Sequence, residues 1–273
     1  MKFTKMQGTG NDYVYVNCFE ETVNDPAKVS RIISDRHFGI GSDGLILICP
    51  SGTCDVRMRM FNADGSEGSM CGNGARCIAK YVYDHGICRK DRISLETKAG
   101  VRELKVTAEN GICKGVTVCM GVPKLTGEVP EKIEVGGIET EFIGVDIGNP
   151  HAVYYMESEE ELKNADLMRS GPLYEHHKRF PGGVNSEFLF VKDRKNIFMR
   201  VWERGSGETL ACGTGASAAA FASMISGRCD SEVTIHLLGG DLVISREEKE
   251  NGRVFLTGPA EEVFTGEIIL PEE

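Results

Sequence analysis

Two cysteines in this 273-residue sequence, Cys71 and Cys212, stand in the same setting: each opens the pentapeptide Cys-Gly-x-Gly-Ala, once as CGNGA and once as CGTGA. In both places a β-rich run ends, a polar Gly-rich loop follows (NADGSEGSM at Asn62 to Met70, ERGSGETLA at Glu203 to Ala211), and an apolar run of small residues comes after the glycines. Those runs, Ala75 to Val82 and Ala216 to Ile225, read as helices too apolar to lie on a surface. Each thiol is therefore expected at a helix start, where unpaired N–H groups and roughly half a positive charge lower a cysteine's pKa and can hold a carboxylate. Packing alone gives no evident reason for glycines at those places, so they are expected to let backbone N–H groups approach a ligand. If two such halves face each other about a pseudo-twofold axis, Cys71 and Cys212 confront each other across one ligand. Inverting a stereocentre requires that arrangement, because one group removes a proton from a carbon and the other returns it from the far side. The pair reads as a racemase or an epimerase.

The elements that would position these thiols also occur twice. GNDYVYV (Gly10 to Val16) resembles GNPHAVYY (Gly148 to Tyr155), IGSDGLIL (Ile40 to Leu47) resembles VNSEFLFV (Val184 to Val191), and CGNGARCIA (Cys71 to Ala79) resembles CGTGASAAA (Cys212 to Ala220). Three matches in one order at nearly one offset make the chain two copies of one unit. YVYVN, LILIC, VRMRMFN, EFLFV and IFMRVWE are short runs bounded by turn residues, several of them alternating, and read as strands. The expected fold class is α/β of the α+β type, with two pseudo-symmetric domains, each a curved, mostly antiparallel or mixed sheet wrapped around a central helix. The seam is expected between Gly115 and Pro130, where Gly and Pro punctuate the chain.

Composition excludes several other classes. With 31 basic against 41 acidic side chains the net charge is −10, which argues against a nucleic-acid partner. The opening residues contain no apolar signal region and no long uncharged run occurs, so a soluble, unsecreted protein without a membrane partner is expected. Ten cysteines without a C-x-x-C pair fit a reducing cytoplasm. No lysine stands in a setting suited to a pyridoxal Schiff base, and the glycine runs match neither phosphate-binding nor dinucleotide-binding motifs, so no cofactor is expected. His37, His85 and His236 are scattered and His176 and His177 are adjacent, so no metal site is expected either. His151 stands out, because it follows Gly148-Asn149-Pro150 in a repeated block, and a histidine near a cysteine can take its proton. Glu203, at the strand end before the second cysteine loop, is a candidate of the same kind.

Taken together, KMQGTGNDYVYV, RHFGIGSDGLIL, FNADGSEGSMCGNGARC, IGNPHAV, VNSEF and ERGSGETLACGTGASA resemble the diaminopimelate epimerase family and span nearly the whole chain. The resemblance implies a cofactor-independent enzyme that interconverts L,L- and meso-2,6-diaminopimelate on the route to lysine and the peptidoglycan cross-link, and a homodimer. It implies that a C-terminal strand returns to the first domain, giving residues 1–117 plus 260–273 around Cys71 and residues 118–259 around Cys212. It makes Cys71 and Cys212 the acid/base pair. Gly72, Asn73, Gly213 and Thr214 would serve the reacting carboxylate, and Asn11, Asn62, Asn149, Asn185, Glu203 and Arg204 would serve the rest of the substrate. A planar Arg fork and several amides suit a substrate with two carboxylates and two ammonium groups. Gly44 departs from the glutamine that some members carry there, so that side-chain contact is absent. Three other readings stay open on the residues alone: a two-cysteine racemase of proline or hydroxyproline on the same fold, a Cys–His hydrolase using one thiol, and a thiol-redox protein that cycles the pair as a disulfide.

Overall fold

The computed structural model describes residues 1–247 and 252–270. Residues 248–251 and 271–273, over which the expected domain ranges run, lie outside them. The chain divides into two compact units, Met1–Val118 with the segment from Thr257 onward, and Cys119–Leu256.

Unit 1 begins with β1 (Lys2–Gly8) and β2 (Asn11–Asn17), followed by α1 (Pro26–Ser34), β3 (Gly44–Cys49), β4 (Val56–Asn62), β5 (Glu67–Gly68), α2 (Gly72–Asp84), β6 (Arg92–Thr97), β7 (Gly100–Glu109) and β8 (Ile112–Gly121). Along the sheet β1–β2 is antiparallel, β2–β3 parallel, β3–β4 and β4–β5 antiparallel, β4–β6 parallel, and β6–β7 and β7–β8 antiparallel. Alternation decides which face is inward: β4 buries Val56, Met58 and Met60 and turns Arg57 outward. α1 starts because Asp25 accepts a hydrogen bond from Lys28 N at 3.0 Å and Pro26 opens its first turn. It lays Val29 and Ile33 against Val14, Val16, Leu45, Leu47 and Phe61. α2 is enclosed almost all round, burying Gly72 through Ala79 as well as Tyr81 and Val82. Each large side chain it buries, Ile78 for example, contributes about 2–3 kcal/mol.

Unit 2 contains β9 (Lys124–Leu125), β10 (Glu131–Val135), β11 (Ile138–Asp146), β12 (Pro150–Tyr155), α3 (Glu159–Asn164), α4 (Leu167–Glu175), β13 (Asn185–Asp193), β14 (Asn196–Glu203), β15 (Gly207–Thr209), α5 (Gly213–Ile225), β16 (Glu232–Leu237) and β17 (Gly240–Arg246). From β11 onward its pairings are antiparallel, parallel, antiparallel, antiparallel, parallel, antiparallel, the same order as unit 1 from β1 to β7. α2 and α5 are both 13 residues long, and α5, built mostly from Ala, Gly and Ser, is buried along its whole first ten residues apart from Thr214. Small residues let the surrounding sheet close tightly on the helix, which is why a run whose one large buried apolar group is Phe221 still makes a core.

Two more strands, β18 (Val254–Gly258) and β19 (Glu261–Glu267), follow. β19 pairs antiparallel with β1, and just beyond that ladder Met1 and Ile268 exchange both backbone hydrogen bonds, at 2.9 and 3.0 Å. The five strands and two small-residue helices expected from the sequence are all present, with both helices starting three residues earlier, at Gly72 and Gly213. The sequence reading had not anticipated α1, α3 and α4.

Candidate active site

In unit 1 the β4–β5 turn delivers the chain to Cys71, the N-cap of α2, whose backbone is still extended (φ −131°, ψ 120°). Its Sγ accepts from Gly74 N and donates to Asn11 Oδ1, each at 3.3 Å. Asn11 opens β2 and is fixed from behind, its Nδ2 donating to Asp43 Oδ2 at 2.8 Å. Burial and the adjacent Asp12 push the Asp43 carboxyl above its ordinary value. Asn73 is buried with its side chain turned inward, Oδ1 accepting from Arg76 Nη1 at 2.9 Å. Arg76, which the sequence reading missed, is completely enclosed and also donates to Thr9 Oγ1 and Pro259 O. It ties the helix start to the β1–β2 turn and to the returning C-terminal segment. Asn62 is exposed at the end of β4, donating to Ser66 Oγ at 3.0 Å.

Unit 2 gathers more of the expected residues into one connected group. Cys212 caps α5 with nearly the same backbone (φ −125°, ψ 111°), but its thiol is buried and faces Thr214 Oγ1 at 3.4 Å. Thr214 accepts from Asn149 Nδ2 at 3.5 Å, and Asn149 Oδ1 is 3.0 Å from His151 Nε2. The other ring nitrogen, Nδ1, lies 2.7 Å from Glu187 Oε1, with both side chains fully buried. Asn185, opening β13, donates to Pro150 O and accepts from Arg204 N, both at 3.0 Å. Glu203 ends β14 and accepts from Thr209 Oγ1 at 2.5 Å. The turn that carries Arg204 is held from below by buried Glu175, which accepts from Gly205 N at 2.9 Å and from Trp202 Nε1 at 2.7 Å. Arg204 itself donates to Gly182 O at 3.2 Å.

Three expectations need correction. A helix start was expected to lower the pKa of each thiol, but burial, then the charges of Glu203 and Glu187, push the Cys212 thiol well above its ordinary value. Thr214 and the Gly215 N–H pull the other way and are outweighed. Glu203 is itself raised, by burial first, against hydrogen bonds from Thr209 and Cys212. Second, packing also bears on the second glycine of each motif, because a side chain there would crowd its neighbours. A Cβ on Gly74 would stand 2.6 Å from Ile46 Cδ1, and one on Gly215 would stand 2.7 Å from Glu187 Oε1. Third, both ring nitrogens of His151 are already engaged, so it reaches the site through Glu187 and Asn149 and not through a bond to a thiol.

Glu187 is the buried carboxylate beside His151 that the sequence reading passed over. The signal was present in VNSEF, because Asn185 and Glu187 are two apart on a strand and share a face. Its Oε2 is buried with no hydrogen-bond partner among the described residues. Gly44, where some family members carry glutamine, leaves no room for a side chain: a Cβ there would stand 2.1 Å from Phe61 O. Among the described residues no group of three or more His, Cys, Asp and Glu side chains could hold a metal ion.

The sequence profile of the family described as diaminopimelate epimerase matches residues 3–126 and 143–263. The chain belongs to the diaminopimelate epimerase family. It is 51% identical over 286 residues to the diaminopimelate epimerase of Acetivibrio thermocellus, with all of both chains covered. It is 51% identical to that of Desulfovibrio desulfuricans, with 99% of each covered, and 49% identical to that of Methanococcus maripaludis, with 98% of this chain and 99% of the relative covered. Among solved structures it resembles a PhzF-family phenazine biosynthesis protein of Bacillus anthracis (TM-score 0.78, 14% identity, 99% of each chain). It also resembles a probable proline racemase of Agrobacterium radiobacter K84 (TM-score 0.74, 15% identity, 99% of this chain and 93% of that one). At such identities these two show that the diaminopimelate epimerase family shares its fold with them.

Proposed function

We propose that this protein is an isomerase that interconverts L,L- and meso-2,6-diaminopimelate without a cofactor, using Cys71 and Cys212 as the acid/base pair. The observation that carries the reading is the duplication of one device, a strand, a polar turn and a thiol capping a buried helix, in a member of a family of epimerases. A hydrolase needs only one thiol and leaves the second copy without purpose. Cys212 enters as the protonated acid, because burial and two carboxylates disfavour its thiolate. Cys71 is the partner that acts as the base once the proton it shares with Asn11 Oδ1 has left, its Sγ then held by Gly74 N at the helix start. Cys71 takes the α-proton, Cys212 returns one from the opposite face, and the reverse reaction exchanges the roles.

First-turn N–H groups around Gly72, Asn73, Gly213 and Thr214 supply the positive ends that hold the reacting carboxylate and the charge that develops when the α-carbon loses its proton. Asn11, Asn62, Asn149, Asn185, Glu203 and Arg204 bind the remaining charges of the substrate. His151 and Glu187 act as positioning residues that hold the Cys212 side of the site. The resemblance carries the further expectation of a homodimer in the cytoplasm, and sedimentation at micromolar concentration tests the dimer. Among the described residues no helix is long and apolar enough to cross a membrane.

The test is incubation of the reduced protein with L,L-diaminopimelate in deuterated water, following loss of the α-proton signal and appearance of the meso form. The wild type exchanges and epimerises, and Cys71→Ser and Cys212→Ser both lose turnover. Turnover that survives in either variant refutes the two-thiol mechanism. No exchange by a folded, reduced protein refutes the substrate, and proline is then the ligand to try.

A further inference from the structure

A second thiol pair lies in unit 1, away from Cys71. β2 and β3 are parallel neighbours in the register Val14 with Leu45, Val16 with Leu47 and Asn17 with Ile48, and Cys18 N continues the ladder by donating to Ile48 O at 2.9 Å. One residue further in that register sets Cys18 beside Cys49. Both side chains follow the parity of Val14, Val16, Leu45 and Leu47, and both pack at the margin of the apolar cluster those residues form. Both are half-buried, so small reagents reach them while the sheet fixes their backbones. Neighbouring strands stand about 4.8 Å apart, within the Cα separation of about 4.4–6.8 Å that a disulfide spans.

The two thiols are not alike. Cys18 hydrogen-bonds to Cys49, which pulls the Cys49 thiol down to about 7 and pushes Cys18 well up. Arg59 and Arg57 on β4 lower Cys49 further, while Glu96 on β6 opposes them. Glu21 adds to the rise at Cys18, and Arg59 acts against it. A nucleophilic sulfur beside a protonated donor thiol is the pairing in which one partner is attacked and the other resolves. Cys49 ends β3 and lies roughly 16 Å along the strand from Gly44, at the opposite end from Asn11 and Asp43.

We propose that Cys18 and Cys49 form a peroxide-reactive dithiol site separate from the epimerising thiols, with Cys49 the attacked sulfur and Cys18 the resolving one. Hydrogen peroxide transfers an oxygen to the Cys49 thiolate, leaving a sulfenic acid and hydroxide. The Cys18 sulfur then displaces the sulfenic oxygen, its proton leaves with that oxygen as water, and an S–S bond forms. The pair gives up two electrons, and the peroxide ends as that water and the hydroxide, which takes a proton from solvent to become a second water.

The experiment treats the reduced full-length protein with limiting hydrogen peroxide near pH 7, blocks remaining thiols with iodoacetamide and maps peptides by mass spectrometry. Each cysteine is read separately, so oxidation of Cys71 or Cys212 does not obscure the result. The expected product is a Cys18–Cys49 cross-linked peptide, with Cys49 consumed about tenfold faster than the half-buried Cys54 and Cys88. In Cys18→Ser the hydroxyl still donates but cannot resolve, so Cys49 accumulates as a sulfenic acid that dimedone traps. Consumption of Cys49 no faster than Cys54 and Cys88, or equal dimedone trapping in the wild type with no cross-link, overturns the proposal.

Discussion

Alanine at Gly74 and alanine at Gly215 are one chemical change at equivalent places of the duplicated unit, and their surroundings give them different consequences. Either substitution gains about 1 kcal/mol by removing a helical glycine. At Gly74 the new methyl meets Ile46 Cδ1 at 2.6 Å and Met58 Cε at 3.0 Å, both terminal groups that can rotate. Overpacking of that kind costs about 1–3 kcal/mol, which leaves a net loss of about 0–2. At Gly215 the methyl meets Glu187 Oε1 at 2.7 Å and Cys212 Sγ at 3.3 Å. Glu187 cannot yield without leaving His151, and the loss of that buried charge-assisted hydrogen bond costs about 1.5–3 kcal/mol. The two variants therefore lose comparable stability in a urea titration. Their rates diverge, because shifting a reacting group by about 1 Å costs roughly 100-fold, and only Gly215→Ala moves a thiol and its carboxylate. α-Proton exchange in deuterated water measures this directly. The reasoning is refuted if Gly215→Ala stays within about threefold of the wild type, or if Gly74→Ala is as slow as Gly215→Ala.

Three further outcomes are expected. Glu203→Gln slows epimerisation yet stabilises the fold at neutral pH. The carboxyl's folded pKa is raised by burial, so the wild type loses stability as pH rises through its unfolded value, and the gain from glutamine vanishes in acid. Urea midpoints at pH 4 and pH 7.5 check the sign. Glu175→Ala leaves Trp202 Nε1 and Gly205 N without their acceptor, costing about 2–5 kcal/mol, lowering kcat through the Arg204 turn and shifting the fluorescence of the single tryptophan. Asp55 is held near 2 by Lys90 first and then by Ser94, so it contributes stability above about pH 4 that is lost as pH falls toward 2. Asp55→Asn should therefore lower the urea midpoint at pH 7 and leave it unchanged at pH 2.

What could be read from the sequence was whatever the duplication wrote twice. Cys71 and Cys212 announced themselves through a shared pentapeptide, and runs such as VRMRMFN carried the period of a strand. The short helices α1, α3 and α4 were missed because six to nine residues give too few turns for a 3.6-residue pattern, and they depend on caps at Asp25, Ser158 and Asp166. In the structure Glu187 is the counterpart of Ile46, across from Gly215 as Ile46 is from Gly74, whereas the sequence match of the halves sets it opposite Asp43, three residues out of register. Arg76 was unreadable for the opposite reason: an arginine in an apolar helix reads as a surface residue unless its three acceptors, brought from Thr9, Asn73 and Pro259, are known. The thiol of Cys212 was misjudged because a helix start is a local property, whereas burial and the two carboxylates arrive through tertiary structure.

The pairing of β1 with β19 sets an order of events on the ribosome. β1 emerges before unit 2, and its second neighbour is made only after the whole of unit 2. At about 5–20 residues per second, the outer edge of β1 stays open in the nascent chain for roughly 12–50 s. An open edge invites pairing with a neighbouring nascent chain, and exposed Lys2 on that strand places charge where such a contact would form. Unit 2, contiguous in the chain, has no such wait, so translation pauses and crowded polysomes should harm unit 1 first.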